Sequence, residues 1–190
     1  MLKFISVNFE FIGGIFVAIL DIKKAGDLVL KQQAQPIERI DKTIRTLLDD
    51  MAETMYKANG VGLAAPQVGQ SIQVVVIDVG EGLLELINPT IIRKEGTEID
   101  TEGCLSVPEI YGEVERAAKV SVEYLNRRGK RHRITATGLL ARCLQHEIDV
   151  QKSFSWAVPP ITGGPRRCPG QPGPQRRPQP GPHGGRRHRG

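Results

Sequence analysis

The chain has 190 residues, 26 basic and 21 acidic side chains and a net charge of +5, a length that suits one domain with a real core. The basic excess sits at the end: residues 150–190 hold Lys152 and seven arginines and no acid, a charge of +8, which leaves residues 1–149 at −3 and excludes a basic nucleic-acid face on the folded part. Three cysteines, Cys104, Cys143 and Cys168, exclude a disulfide framework and suit a reducing, cytosolic setting.

At the N-terminus, Phe11 to Leu20 is a ten-residue apolar run, about half of the ~20 residues a membrane span needs. It has no basic leader beyond Lys3 and no small-residue cleavage site, so neither a membrane span nor a signal peptide is expected. Residues 1–16 are expected to be untranslated leader read as protein, with Val17 the start, the alternatives being a real extension or a weak interfacial anchor; persistent structure is not expected in them. Ile19 to Ile22 should be a short extended piece, and Lys24 to Asp27 a turn. Asp41 is placed to cap a helix whose apolar positions, Ile44, Leu47, Leu48, Met51 and Met55, recur at helical spacing. Asn59-Gly60 ends it. Ile72 to Asp78 is continuous and β-rich and should be a buried strand. Leu83 to Ile92 is a second strand region, interrupted by Pro89. Lys119 to Leu125 and Arg131 to Ala136 form a hairpin around Arg127-Arg128-Gly129-Lys130. Thr137 should cap a second helix that runs to about Asp149.

From Pro159 to the end, nine prolines, eight glycines and seven arginines fill 32 residues. Such a segment cannot bury enough apolar area to offset its ordering entropy and is expected to be disordered. Two sources fit this composition: an RNA-binding extension, or GC-rich codons read out of frame. The tail has no aromatic side chain, so only phosphate attraction would be available to it. The organisation expected is thus an extension (1–16), one domain (17–149) and a divergent tail (150–190).

Three motifs carry chemistry. In Gln145-His146-Glu147-Ile148-Asp149, His146 and position 150 are spaced i, i+4 and share a helix face. That is the spacing by which His-Glu-x-x-His hydrolases hold a metal, with the Glu moving protons. Position 150 is Val150, which has no donor atom. Leu139 and Cys143 lie on the His146 stripe and should form an apolar wall beside it. In Glu102-Gly103-Cys104-Leu105-Ser106, Cys104 is a strong Fe²⁺ or Zn²⁺ ligand, and Gly103 lets the backbone turn and present an N–H as an oxyanion donor. In Gly60-Val61-Gly62-Leu63-Ala64-Ala65-Pro66-Gln67, the glycines allow close backbone approach and Gln67 offers an amide donor. The Gly-Lys-Ser/Thr ending of a phosphate loop is absent.

Each motif alone has a bland alternative: a solvated helix pair, a small buried thiol, a structural turn. In this order, with Cys104 42 residues before His146, they resemble the peptide deformylase family over roughly residues 17–149. The resemblance implies an α+β fold with antiparallel sheets around the His146 helix. It implies hydrolysis of the N-formyl group of N-formylmethionyl nascent peptides by a cytoplasmic enzyme, expected to be monomeric, in contact with the ribosome, and without a membrane or specific nucleic-acid partner. It implies one Fe²⁺ per chain, replaceable by Zn²⁺, Ni²⁺ or Co²⁺, with Cys104 and His146 as ligands. Glu147 matches the general acid/base, and Gln67 and the Leu105 N–H match the oxyanion donors. Val61 and Gly62 match the backbone that pairs with an extended peptide. Leu139 and Cys143 match the methionine pocket, and Arg116 is expected to pair with Glu102 and brace the cysteine loop. Val150 stands where the family has its second histidine. The alternative is a metal-free relative that binds peptide N-termini.

Overall fold

The computed structural model describes residues 8–12 and 15–152, and the tail expectations for 153–190 lie outside the described residues. The fold is α+β, as the resemblance implies. Five strands form one antiparallel sheet in the order β3 (Gly62–Ala64), β4 (Val74–Ile77), β5 (Leu84–Glu95), β8 (Lys119–Leu125), β9 (Arg131–Thr137). Helix α1 (Lys42–Lys57) covers one face and α2 (Gly138–Lys152) the other. Leu63, Val74, Val76 and Ile87 pack with Leu48, Met51 and Met55 of α1. Ala64, Val75, Ile77, Leu86 and Val122 pack with Leu144 and Ile148 of α2. With both faces covered, β4 is buried at every position, which is why it reads as an unbroken apolar run.

Asp41 caps α1 as expected, its carboxylate accepting from the Ile44 N–H at 3.1 Å. Asn59 ends the helix with φ +54°, a left-handed conformation that Asn tolerates. Helix α2 is buried nearly all round, from Ala141 to Ile148 and again at Val150 and Gln151, so it is a central helix wrapped by sheet.

Several expectations need correction. Pro89 does not interrupt the second strand. A register shift against β8 falls between Ile87 and Thr90, and a bulge does not need the ladder N–H that proline lacks. The bulge is held by Asn88, φ +52°, which exchanges two side-chain hydrogen bonds with the Ile37 backbone at 2.7 and 2.8 Å. Thr137 ends β9 instead of standing outside the sheet as a cap, and the chain enters α2 directly at Gly138, φ +56°. The helix runs to Lys152, past the Asp149 boundary, so residues 150–152 belong to the fold and not to the tail.

The N-terminal expectation fails as well. β1 (Asn8–Ile12) pairs antiparallel with β2 (Ile15–Ile19), so the extended piece comes earlier than Ile19–Ile22 and residues 1–16 are not all without structure. β2 lies on α1: the Ala18 N–H donates to Asp50 at 2.7 Å and the Leu20 N–H to Thr54 at 2.9 Å. A further hairpin, β6 (Glu98–Cys104) with β7 (Val107–Arg116), has no counterpart in the sequence reading. Its run of Glu98, Asp100, Glu102, Glu113 and Glu115 hides the apolar alternation by which strands are recognised.

Replacing the cap, Asp41→Ala, should cost about 1 kcal/mol and lower the melting temperature by roughly 2–4 °C. An unchanged melting temperature would show that the Asp41–Ile44 bond stabilises nothing.

Candidate metallohydrolase site

Cys104 ends β6, where the register shifts and a turn through Leu105 and Ser106 brings the chain back to Val107. Gly103 is needed at the approach to this turn. A Cβ there would lie 2.7–2.8 Å from the Tyr111 ring. Gln67 sits in a short 3-10 turn after β3 and is 1% exposed. Its Oε1 accepts from the Ala64 N–H at 2.8 Å, which turns its NH₂ toward Cys104 Sγ at 3.5 Å and Ser106 Oγ at 3.2 Å. The amide orientation is thus set by the hydrogen-bond network.

Helix α2 brings His146 to the cleft that Cys104 borders. Its ring nitrogen Nδ1 hydrogen-bonds Glu102 Oε2 at 3.0 Å. Glu102 is buried, and Arg116 bridges both its oxygens at 2.9 and 3.0 Å. Arg142 adds a bond to Oε1 at 2.9 Å and reaches the carbonyls of Val114 and Glu98 at 2.9 and 3.1 Å. Arg116 also pairs with Asp149. Burial works against ionisation of Glu102, but the His146 and Arg116 bonds outweigh it and hold the carboxyl down to about 2. Burial likewise opposes charge on His146, and there Cys104 and Glu102 win and push it up to about 10. The Arg116–Glu102 pair matches the expectation. Arg142 and Asp149 are missed partners. Both lie on the His146 face of α2, at i−4 and i+3, and that spacing was the available signal.

Glu147 is 4% exposed and its Oε2 has no hydrogen-bond partner among the described residues. Burial pushes its carboxyl up to about 7, with His146 pulling down and Glu102 pushing further up. Its Oε1 is close to the backbone of β3: a Cβ on Gly62 would lie 2.5 Å from it and 2.6 Å from Cys143 Sγ. An orphaned buried acid that titrates near neutrality is suited to exchanging a proton with a reactant.

These groups line one cleft of about 580 Å³. Val61, Gly62, Gln67, Cys104, Leu105, Leu139, Cys143, His146 and Glu147 all border it, whereas Arg116 and Val150, also singled out in the sequence, do not. Cys143 is buried, with its thiol toward the Val61 carbonyl at 3.6 Å, and Leu139 stands half exposed at the rim. β3 has β4 on one side and no strand on the other among the described residues, leaving an edge that an extended peptide could join.

The donor set does not fit a metal held by three protein side chains. Among the described residues no group of three His, Cys, Asp or Glu is placed to hold a metal ion. Val150 is fully buried at the position one turn beyond His146.

Fold and site together define an α+β domain in which the His146-Glu147 pair of a buried helix and Cys104 border one cleft, with Val150 one turn beyond His146. The profile of the polypeptide deformylase family matches residues 19–154. The peptide deformylase of Desulfitobacterium hafniense is 62% identical over 133 residues, which span 70% of this chain and 89% of that protein. That of Acetivibrio thermocellus is 57% identical over 133 residues, 70% and 78% of the two chains. The crystal structure of the Thermotoga maritima peptide deformylase superimposes with a TM-score of 0.71 at 41% identity, covering 75% of this chain and 99% of the other. The Synechococcus elongatus peptide deformylase, solved in complex with actinonin, gives 0.68 at 47% identity, covering 70% and 76%. The chain belongs to the polypeptide deformylase family, a family of metal-dependent hydrolases.

Gly62→Ala should force Glu147 aside. A displacement of about 1 Å can cost about 10²-fold in turnover, and overpacking about 1–3 kcal/mol in stability. Deformylation at an undiminished rate in a folded Gly62→Ala protein would show that Glu147 does not need its place beside β3.

Proposed function

We propose that the chain hydrolyses the N-formyl group of N-formylmethionyl nascent peptides, and that Val150 leaves this activity impaired. The catalytic unit runs from Val17 to the end of α2. The peptide extends along the free edge of β3, pairing with the backbone of Val61 and Gly62. The methionine side chain enters between Leu139 and Cys143. Gln67 and the Leu105 N–H donate to the oxygen of the formyl carbonyl as it gains charge. Glu147 takes a proton from the attacking water and returns it to the departing amine. The observation that carries this reading is the buried Glu147 carboxyl, with one oxygen unpartnered and the other against Gly62.

Cys104 and His146 are the donors the chain offers to Fe²⁺, or to Zn²⁺, Ni²⁺ or Co²⁺ in its place, and they are two where three are needed. Asp149 is no substitute, because its carboxylate is engaged by Arg116. A cytoplasmic, monomeric protein working close to the ribosome exit is the setting that suits such a substrate. No helix among the described residues is long and apolar enough to cross a membrane. The reading favoured by Val150 alone is a relative that binds peptide N-termini without turnover.

Metal content and deformylation rate in the original chain, in Val150→His and in Val150→His with Glu147→Ala separate these. Val150→His should raise metal affinity by at least the ~10–100-fold that loss of even an outer-shell partner costs, and turnover should rise with it. Adding Glu147→Ala should remove the turnover and leave the metal in place. One tightly held metal per original chain with fast deformylation would overturn the two-donor account. Turnover that survives Glu147→Ala would overturn the acid/base assignment. Peptide binding without turnover in every variant would favour the binding reading.

A further inference from the structure

We infer that Lys24 is a positioning residue for the two groups assigned to the oxyanion, an inference that rests on the deformylase reading. Gln67 and Leu105 come from unrelated parts of the chain, the turn after β3 and the β6–β7 turn. Three consecutive residues tie both to one strap. The Lys23 N–H donates to the Gln67 carbonyl at 2.7 Å, and the Ala25 N–H donates to the Ser106 carbonyl at 2.9 Å. Between them, the Lys24 ammonium donates to the Leu105 carbonyl at 3.0 Å. The strap is itself fixed by Asp27, whose carboxylate accepts from the Lys24 N–H at 3.1 Å and whose N–H donates to the Lys24 carbonyl at 3.0 Å.

The backbone links hold Gln67 and Ser106 whatever side chains the strap carries. Leu105 is different. It sits at the tip of the turn, and its one link to the strap is the side chain of Lys24. Below, its side chain rests against Gly60, where a Cβ would lie 2.7 Å from Leu105 Cδ1. Lys24 therefore fixes the upper side of the tip that carries the N–H assigned to the oxyanion, and both Lys24 and Leu105 border the same cleft. A charge-assisted bond to a carbonyl is directional. An exposed one contributes little to overall stability. Removing it should loosen the donor without unfolding the protein, and a general structural role would not separate these two effects.

The test compares Lys24→Met, which keeps the stem and removes the donor, with Lys24→Arg, which keeps a donor. Backbone ¹⁵N relaxation at the Leu105 N–H in the full chain needs no turnover. The order parameter should be about 0.85 in the original and in Lys24→Arg and should fall below about 0.6 in Lys24→Met. In the Val150→His background, Lys24→Met should lower kcat about tenfold, less than the 10²–10³ of deleting a donor outright. KM should stay within about twofold, the signature of a transition-state contact, and Lys24→Arg should restore kcat. An unchanged order parameter with unchanged kcat overturns the inference and leaves the deformylase reading standing. So does a melting temperature that drops by more than about 5 °C in Lys24→Met, since a loss of that size belongs to the fold and not to the tip. Absence of deformylation in the original and in Val150→His overturns the deformylase reading instead, and the order parameter still decides whether Lys24 holds the tip.

Discussion

One buried carboxylate joins the two halves of the site. Glu102 lies on β6 and His146 on α2. A lone ionised carboxylate in this setting would cost several kcal/mol. Here it accepts from Arg116, Arg142 and His146, and Arg142 continues to the Glu98 and Val114 carbonyls on both strands of the β6–β7 hairpin. Removing one partner of such a cluster strands the rest, a loss of about 3–5 kcal/mol. Cys104 stands two residues beyond Glu102, on the same face of the strand by the period of two. The interaction that fixes Glu102 therefore also presents the Cys104 sulfur to His146.

Everything else in the cleft is placed against that pair. The sheet supplies β3, whose free edge runs past Glu147, and Gly62 is the position where strand and helix touch too closely for any side chain. Gln67 follows β3 in a 3-10 turn and spends its carbonyl on the Ala64 N–H, so that only its NH₂ faces Cys104. Helix α2 can carry Arg142, His146 and Glu147 buried, and Asp149 partly so, because each of their polar groups meets a partner, Glu147 Oε2 excepted. Unpaired buried groups are costly; this helix has two among the described residues, Glu147 Oε2 and Gln151 Nε2, and the first belongs to the residue proposed to move a proton.

Local spacing made the helices and the paired strands β8 and β9 legible, and the resemblance carried by three short motifs pointed to Val61, Gly62, Gln67, Cys104, Leu105, Leu139, Cys143, His146 and Glu147 in the cleft. The 3.6-residue period marks α1, and the i, i−3, i−7 positions of α2 mark Cys143 and Leu139. What stayed hidden depends on tertiary partners. The β6–β7 hairpin is acidic along both strands and shows its register only once paired. Asn88 compensates for Pro89 through Ile37, 51 residues away. The apolar N-terminal run becomes a strand because Asp50 and Thr54 on α1 accept its N–H groups. Arg142 appears as one more charged helix residue until Glu102 is seen beneath it.

Val150 is buried one turn beyond His146, within the stretch that matches the family. We take the Glu102–His146 bond to hold the scaffold around it together. The measurement that tests this most directly is ¹⁵N and ¹H NMR of the His146 ring in the metal-free chain at neutral pH. The account predicts a hydrogen-bonded proton on Nδ1, protected from exchange, whose resonance moves or vanishes in Glu102→Gln. An Nδ1 that carries no proton, or a proton signal indifferent to Glu102→Gln, would contradict it.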